Sequence, residues 1–176
     1  MVYIPGAVKK YKLDKSDPRY DATKPDNNYT IVVPGDGTLP YRFNSVSEFK
    51  EAFKNPATNK FEYLKIAGGN IEKDGFTYVT AERSQQYALA VLQAGLPIIF
   101  DVVAAFENDV NAEEAQTLIG NKISSSIFDK LKDRNNYGDV KFITTGGYPN
   151  YSNTQKLYSD YMLGVIASGD GNSVGR

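Results

Sequence analysis

The sequence predicts an α/β fold: a mixed, largely parallel sheet flanked by helices, with an extended amino-terminal arm. Three observations predict it. Within residues 29–176, the second half alternates helical periodicity with short apolar runs, reading helix–strand–helix–strand–helix. Residues 96–103 form a nearly continuous apolar run, the signature of a strand buried on both faces. Residues 1–28, by contrast, mix Lys, Asp, Tyr and Pro with no sustained period.

The first stretch sets the domain division. Pro5, Pro18 and Pro25 interrupt it, and Lys9, Lys10, Lys12 and Lys15 alternate with Asp14, Asp17 and Asp21. Residues 1–28 are therefore expected to be an arm or linker, and residues 29–176 the α/β domain. An extended segment can add a strand to a neighbour's sheet edge. On that reading Tyr3, Ile4, Val8 and Tyr11 are the candidate contacts to another subunit, with Val2 beside them.

From Tyr29 the pattern sharpens. Residues 29–33 read as a strand closed by the turn Pro34-Gly-Asp-Gly37. Ser45 and Glu48 have capping-box spacing, ahead of a short helix with Val46, Phe49 and Phe53 on one face. Strands are expected at residues 61–66 and 76–79. Thr80 is a plausible cap for a helix running to Gln93, with Tyr87, Val91 and Ala94 marking its buried side. Gly95 stands where a left-handed stop is wanted. Asn111 and Glu114 open another helix to about residue 132, although Gly120 and the Ser124-Ser-Ser126 cluster weaken its middle. Residues 140–144 read as a strand, Gly146-Gly-Tyr-Pro149 as its exit loop, and residues 152–167 as a last helix. In a crossover fold that helix should deliver the chain into another strand, so the domain is expected to continue past residue 176.

Composition narrows the chemistry. The chain has 176 residues, 20 basic and 21 acidic side chains, and neither His nor Cys. Without them it cannot itself build Ser-His-Asp or Cys-His nucleophile systems, or thiolate and imidazole metal sites. A net charge of -1 leaves no footprint for nucleic acid. No apolar run approaches the roughly 20 residues that cross a bilayer. Membrane insertion is therefore not expected.

The remaining constellations are weak. Gly68-Gly69, Gly146-Gly147 and the terminal Gly169, Gly171 and Gly175 lack the Lys-Ser/Thr of a phosphate loop. Asp101, followed by Glu107 and Asp109, falls where α/β enzymes place a base or a metal ligand. Ser124-Ser-Ser126 with Lys122 or Lys130 could suggest a Ser-Lys pair, but helical neighbours Ile127 and Phe128 favour exposed serines. Asp170-Gly-Asn172 lacks the rest of a calcium loop. No catalytic, cofactor or metal residue is assigned, and a structural role is expected. The alternative is a ligand-binding or phosphate-handling enzyme domain that uses the Gly146-Gly147 loop and Asp101.

The order of these segments resembles the contractile tail sheath proteins of bacteriophages and related injection machines. Met1-Val-Tyr-Ile-Pro-Gly6 is similar to the Pro-Gly start of many sheath subunits. Ser45-Val-Ser-Glu-Phe49 with Phe53 is similar to the family's first helix. Tyr87-Ala-Leu-Ala-Val-Leu-Gln-Ala-Gly95, leading into residues 96–103, is similar to its helix feeding an apolar strand. Lys141-Phe-Ile-Thr-Thr-Gly-Gly-Tyr-Pro149, then Tyr161-Met162 and Gly169-Asp170, match the strand, loop and helix that follow. Lys54 stands where the family has Gly, Gly95 replaces a glycine pair, and Ser168 replaces Arg. The resemblance implies the amino-terminal portion of a non-enzymatic virion subunit, assembled in the host cytoplasm. It implies stacked rings and helical tubes of this subunit around a tail tube, contact with tube and baseplate proteins, and arms that exchange strands.

Overall fold

The amino-terminal segment is where the fold departs most from the sequence reading. The structure, a computed structural model, describes residues 1–31, 40–67, 71–73, 76–78, 82–111, 131 and 133–144. In it Val2–Lys9 is strand β1, an inner strand of the principal sheet. The elements that follow are β2 (Tyr41–Phe43), α1 (Val46–Ala52), β3 (Lys54–Asn55), β4 (Lys60–Phe61), β5 (Ile66–Ala67), β6 (Ile71–Lys73) and β7 (Phe76–Tyr78). Then come α2 (Arg83–Gln93), β8 (Ile98–Phe106), β9 (Val110–Asn111), α3 (Arg134–Tyr137) and β10 (Phe142–Ile143). The sheet order is β10-β1-β8-β2, with β2 alone antiparallel. The mixed α/β class is as expected.

The arm is not. β1 pairs with β8 along its whole length, from Val2 against Ile98 to Lys9 against Phe106, and with β10 at Val2 and Tyr3. Tyr3, Ile4 and Val8 are 1%, 0% and 0% exposed, core residues of their own domain rather than anchors on a neighbour. The absent alternation that suggested an arm is what a strand buried on both faces requires. Pro5 breaks no ladder. Tyr3 turns its carbonyl toward the Thr144 amide, so Pro5, two residues on, faces the same side beyond the last residue paired with β10.

Two cores flank the sheet. Val2, Ile4 and Val8 meet Ile98, Phe100, α1 and α2 on one face. Tyr3 and Ala7 meet Ile99, Val103, Leu131 and Tyr137 on the other. The register slips by one residue between Gly6 and Ala7.

α1 begins as its sequence predicts. The Glu48 amide donates to Ser45 Oγ (3.2 Å), and Glu48 Oε2 accepts from the Asn44 amide (2.7 Å). Phe49 then lies edge-on to Phe43, Phe53 and Phe100, with centroids 5.2, 4.9 and 5.1 Å away. α2 differs in two respects. Its cap is Glu82, not Thr80, and its buried side is Ser84, Gln85, Ala88, Leu89 and Leu92. Tyr87 and Ala94 face outward and Val91 is only half-buried. Gly95 ends the helix at φ +81°, as expected.

Residues 10–30 are no loose tail. An isolated bridge joins Lys12 to Tyr29, the Leu13 amide donates to the Asn28 carbonyl (2.9 Å), and the Thr30 amide to that of Tyr11 (2.8 Å). Inside this loop Asp14, Asp17 and Asp21 each accept from the amide two residues on. The single strand expected at residues 61–66 is two short ones, β4 and β5. The strand expected at residues 140–144 contracts to β10. Gly68-Gly69, residues 112–130 of the expected third helix, Gly146-Gly147, the last helix and the terminal segment lie outside the described residues.

Candidate functional site

In an open parallel sheet, a cleft forms where chains leaving adjacent strands pass to opposite faces. β1 and β8 make such a pair. The chain after β1 builds α1 and α2 on one face, and the chain after β8 brings Leu131 and Tyr137 to the other. At their carboxyl ends lies a cleft of about 340 Å³, lined by Lys10, Ala105, Phe106, Glu107, Asn108, Asp109 and Val110.

Two Lys–Tyr–Glu units flank the end of β1. In one, the Tyr29 hydroxyl donates to Glu107 Oε1 (2.6 Å), Lys12 Nζ lies 3.8 Å from Glu107 Oε2, and Lys10 Nζ stands 4.0 Å over the Tyr29 ring. In the other, the Tyr11 hydroxyl donates to Glu62 (3.5 Å), with Lys9 Nζ 3.7 Å from the same carboxylate. Hydrogen bonding from Tyr29 and the nearby lysines hold Glu107 below the ordinary carboxylate range. The Asn55 amide, Lys9 and further hydroxyls do the same for Glu62. Burial, followed by the Glu62 charge, pushes Tyr11 up to about 12. Each carboxylate therefore stays ionised and each phenol protonated near neutrality. The units clamp loops together.

The raised Tyr11 value has a measurable consequence. Stability that depends on a protonated phenol is complete below its unfolded value near 10 and is lost as pH rises toward about 12. The melting temperature should fall across that interval. Tyr11→Phe should show a shallower alkaline fall, and an unchanged slope would exclude Tyr11 as its source.

A second cleft, of about 370 Å³, opens at the amino end of the sheet, lined by Pro40, Arg42 and residues 135–139. Arg42 on β2 donates to Asp139 Oδ2 (2.8 Å) and to the Asn136 carbonyl, while the Met1 ammonium donates to the Asp139 carbonyl (2.8 Å). Asp139 is held below its usual range, chiefly by Arg42. This bridge ties one edge of the sheet to the segment feeding the other.

The residues singled out from sequence do not converge. Asp101 lies in the middle of β8, opposite Pro5, not at the carboxyl edge. It is 4% exposed and accepts the Tyr3 hydroxyl. A carboxylate so placed serves in the interior as a hydrogen-bond acceptor for the Tyr3 hydroxyl. Glu107 and Asp109 do line the carboxyl-end cleft, whereas Tyr11 is half-buried against Glu62. Ser124, Ser125, Ser126, Lys122 and Lys130 fall outside the described residues, as does the Gly146-Gly147 loop. Among the described residues, no group of three or more acidic side chains could hold a metal ion.

Sequence reasoning missed the polar cluster at the start of α2. Glu82 accepts from Ser84 Oγ and the Gln85 amide (3.0 Å), while Ser84 Oγ accepts from the Ala7 amide (3.2 Å). Gln85 Oε1 accepts from the Leu64 amide (3.0 Å). A Glu two residues before a Ser, ahead of an apolar helix, was the available signal for this cap. No family model matches the chain, and neither a curated protein nor a solved structure matches it.

Proposed function

We propose that the chain is part of a structural subunit of a contractile tail sheath, in a phage virion or a related injection machine. The observation that supports this reading is the convergence of the segments that resemble the family. Met1-Val-Tyr-Ile-Pro-Gly6, the apolar run after α2, and Lys141-Phe-Ile-Thr144 lie up to 140 residues apart, yet they supply the adjacent parallel strands β1, β8 and β10. Similar segments arranged as one sheet layer carry more weight than the same strings scattered along a chain. On this reading the subunit performs no chemistry. It stacks in rings around a tail tube, contacts tube and baseplate proteins, and contracts by switching between two packings of its interfaces.

One part of the expected mechanism is withdrawn. Tyr3, Ile4 and Val8 cannot add a strand to a neighbour while they form the middle of their own sheet. Contacts between copies must come from other surfaces.

Negative-stain electron microscopy of the native particle, or of the full-length gene product, tests the proposal. Striated tubes, in long and short forms, are the expected result. Dispersed globular particles would overturn it. The alternative, a ligand-binding or phosphate-handling domain, would then be tested by a phosphate-dependent rise in melting temperature.

A further inference from the structure

Between Lys10 and Ile31 the chain folds largely on itself. The Lys12–Tyr29 bridge, with hydrogen bonds from the Leu13 amide to Asn28 and from the Thr30 amide to Tyr11, closes the base of this loop. Beyond the base, the hydrogen bonds of residues 14–27 among the described residues stay within residues 14–29. The Asp17 amide donates to the Asp14 carbonyl, and the Tyr20 amide to the Asp17 carbonyl (2.9 Å each). The Asn28 side chain bonds both the amide and the carbonyl of Asp21 (2.8 and 2.9 Å). Leu13 is the one buried apolar side chain of the loop, and residues 9–30 contribute to neither of the two cores. A segment held together internally, with little apolar contact to its neighbours, opens at lower cost than the sheet beside it.

Two carboxylates fasten the loop to the domain. Glu62, which follows β4, accepts the Tyr11 hydroxyl and lies against Lys9. Glu107, which follows β8, accepts the Tyr29 hydroxyl and lies against Lys12, with Lys10 over the Tyr29 ring. The fixed ends are Lys10, whose amide donates to the Phe106 carbonyl (2.8 Å), and Ile31, buried in the core on the α2 side of the sheet. Asn55 and Thr58 also donate to Glu62. The described groups that face either carboxylate therefore all carry positive charge or donate a hydrogen bond, which favours the ionised form of both.

We propose that residues 11–30 form a strap at the carboxyl ends of β1 and β8, fastened by Glu62 and Glu107, which swings out as one unit about Lys10 and Ile31 when those carboxylates are protonated. Both carboxylates are held below their ordinary range, so the fastening is complete above about pH 5 and is lost as pH falls through the lowered values. Exposed ion pairs are individually weak, so loss of both fastenings shifts the balance by about fivefold or more, not by many orders of magnitude. Lys10 and Glu107 also line the carboxyl-end cleft, so release of the strap reshapes it.

The chain has no Cys, so introduced cysteines take spin labels without background, and dipolar spectroscopy then reads the distance between them. Ala22→Cys with Lys50→Cys reports the strap against α1, and Lys50→Cys with Lys141→Cys reports the domain alone; all three positions are exposed. Near neutrality each pair should give one distance. In Glu62→Lys/Glu107→Lys, which sets like charges against Lys9, Lys10 and Lys12, the strap pair should gain a second distance while the domain pair keeps its own. The unaltered carboxylates should give the same second distance, about fivefold or more populated, as pH falls to about 3. A strap pair that keeps one distance in the variant, or that changes only together with the domain pair, would overturn the strap. Release in the variant with none in acid would overturn protonation as its trigger.

Discussion

Deletion of residues 1–9 should leave no folded domain. β1 is hydrogen-bonded to β8 on one side and β10 on the other, and it supplies Tyr3 and Ala7 to one core and Val2, Ile4 and Val8 to the other. Removing it separates β10 from the sheet and uncovers the buried sides of α2 and Leu131. A domain stable by about 5–15 kcal/mol cannot absorb that loss. The single substitution Ile4→Ala, at a fully buried position, should by itself cost about 3 kcal/mol in chemical denaturation. Far-UV circular dichroism of the deletion and the denaturation midpoint of Ile4→Ala are the two measurements. A deletion variant with native spectrum and melting temperature would restore the arm. So would an Ile4→Ala variant as stable as the parent.

Gly6→Ala should be the most disruptive of the small substitutions. A Cβ at Gly6 would stand 2.2 Å from Ser84 Oγ and 2.6 Å from Phe100 Cζ, closer than side chains approach. The requirement is for space, since Gly95 is the only described glycine with positive φ. α2 packs chiefly across β1, and its first turn comes close enough for Ser84 Oγ to accept from the Ala7 amide. One methyl group must therefore push the helix off the strand, misalign that hydrogen bond and displace Phe100. Overpacking of this kind costs about 1–3 kcal/mol, and the helix start has little freedom because Glu82 and Gln85 are tied to it and to Leu64. Thermal denaturation of Gly6→Ala beside Gly6→Ala/Ser84→Gly checks this. The second change removes the nearest atoms, so it should recover part of the loss. An unaltered melting temperature for Gly6→Ala would mean that α2 does not approach β1 this closely.

These two positions also show how far the sequence could be read. In the sequence Pro5 reads as an interruption in a tail, and the apolar residues around it read as anchors. Both features belong to an inner strand: Pro5 lies past the end of a short neighbour, and Gly6 admits a helix. The helix itself was legible, but its rotation was not. Tyr87-Val91-Ala94 and Ala88-Leu89-Leu92 are equally periodic, so spacing alone cannot say which stripe turns inward. The close seat of Ser84 at Gly6 makes that choice. Of the candidate site, Glu107 and Asp109 were noted beside Asp101, but their separation from it was invisible. Asp101 is four residues into β8 and bonds to Tyr3, 98 residues away.

What the sequence determined by itself is local. The Ser45–Glu48 cap, the left-handed stop at Gly95 and the buried run of β8 each depend on a few consecutive residues, and each stands near where it was read. The mixed α/β class follows from the same short-range patterns. The tertiary structure decided the place of β1, the outward turn of Tyr87 and the fate of Asp101. Each of these depends on a partner about 80 to 100 residues distant, and no periodicity within a segment encodes which distant surface will cover it.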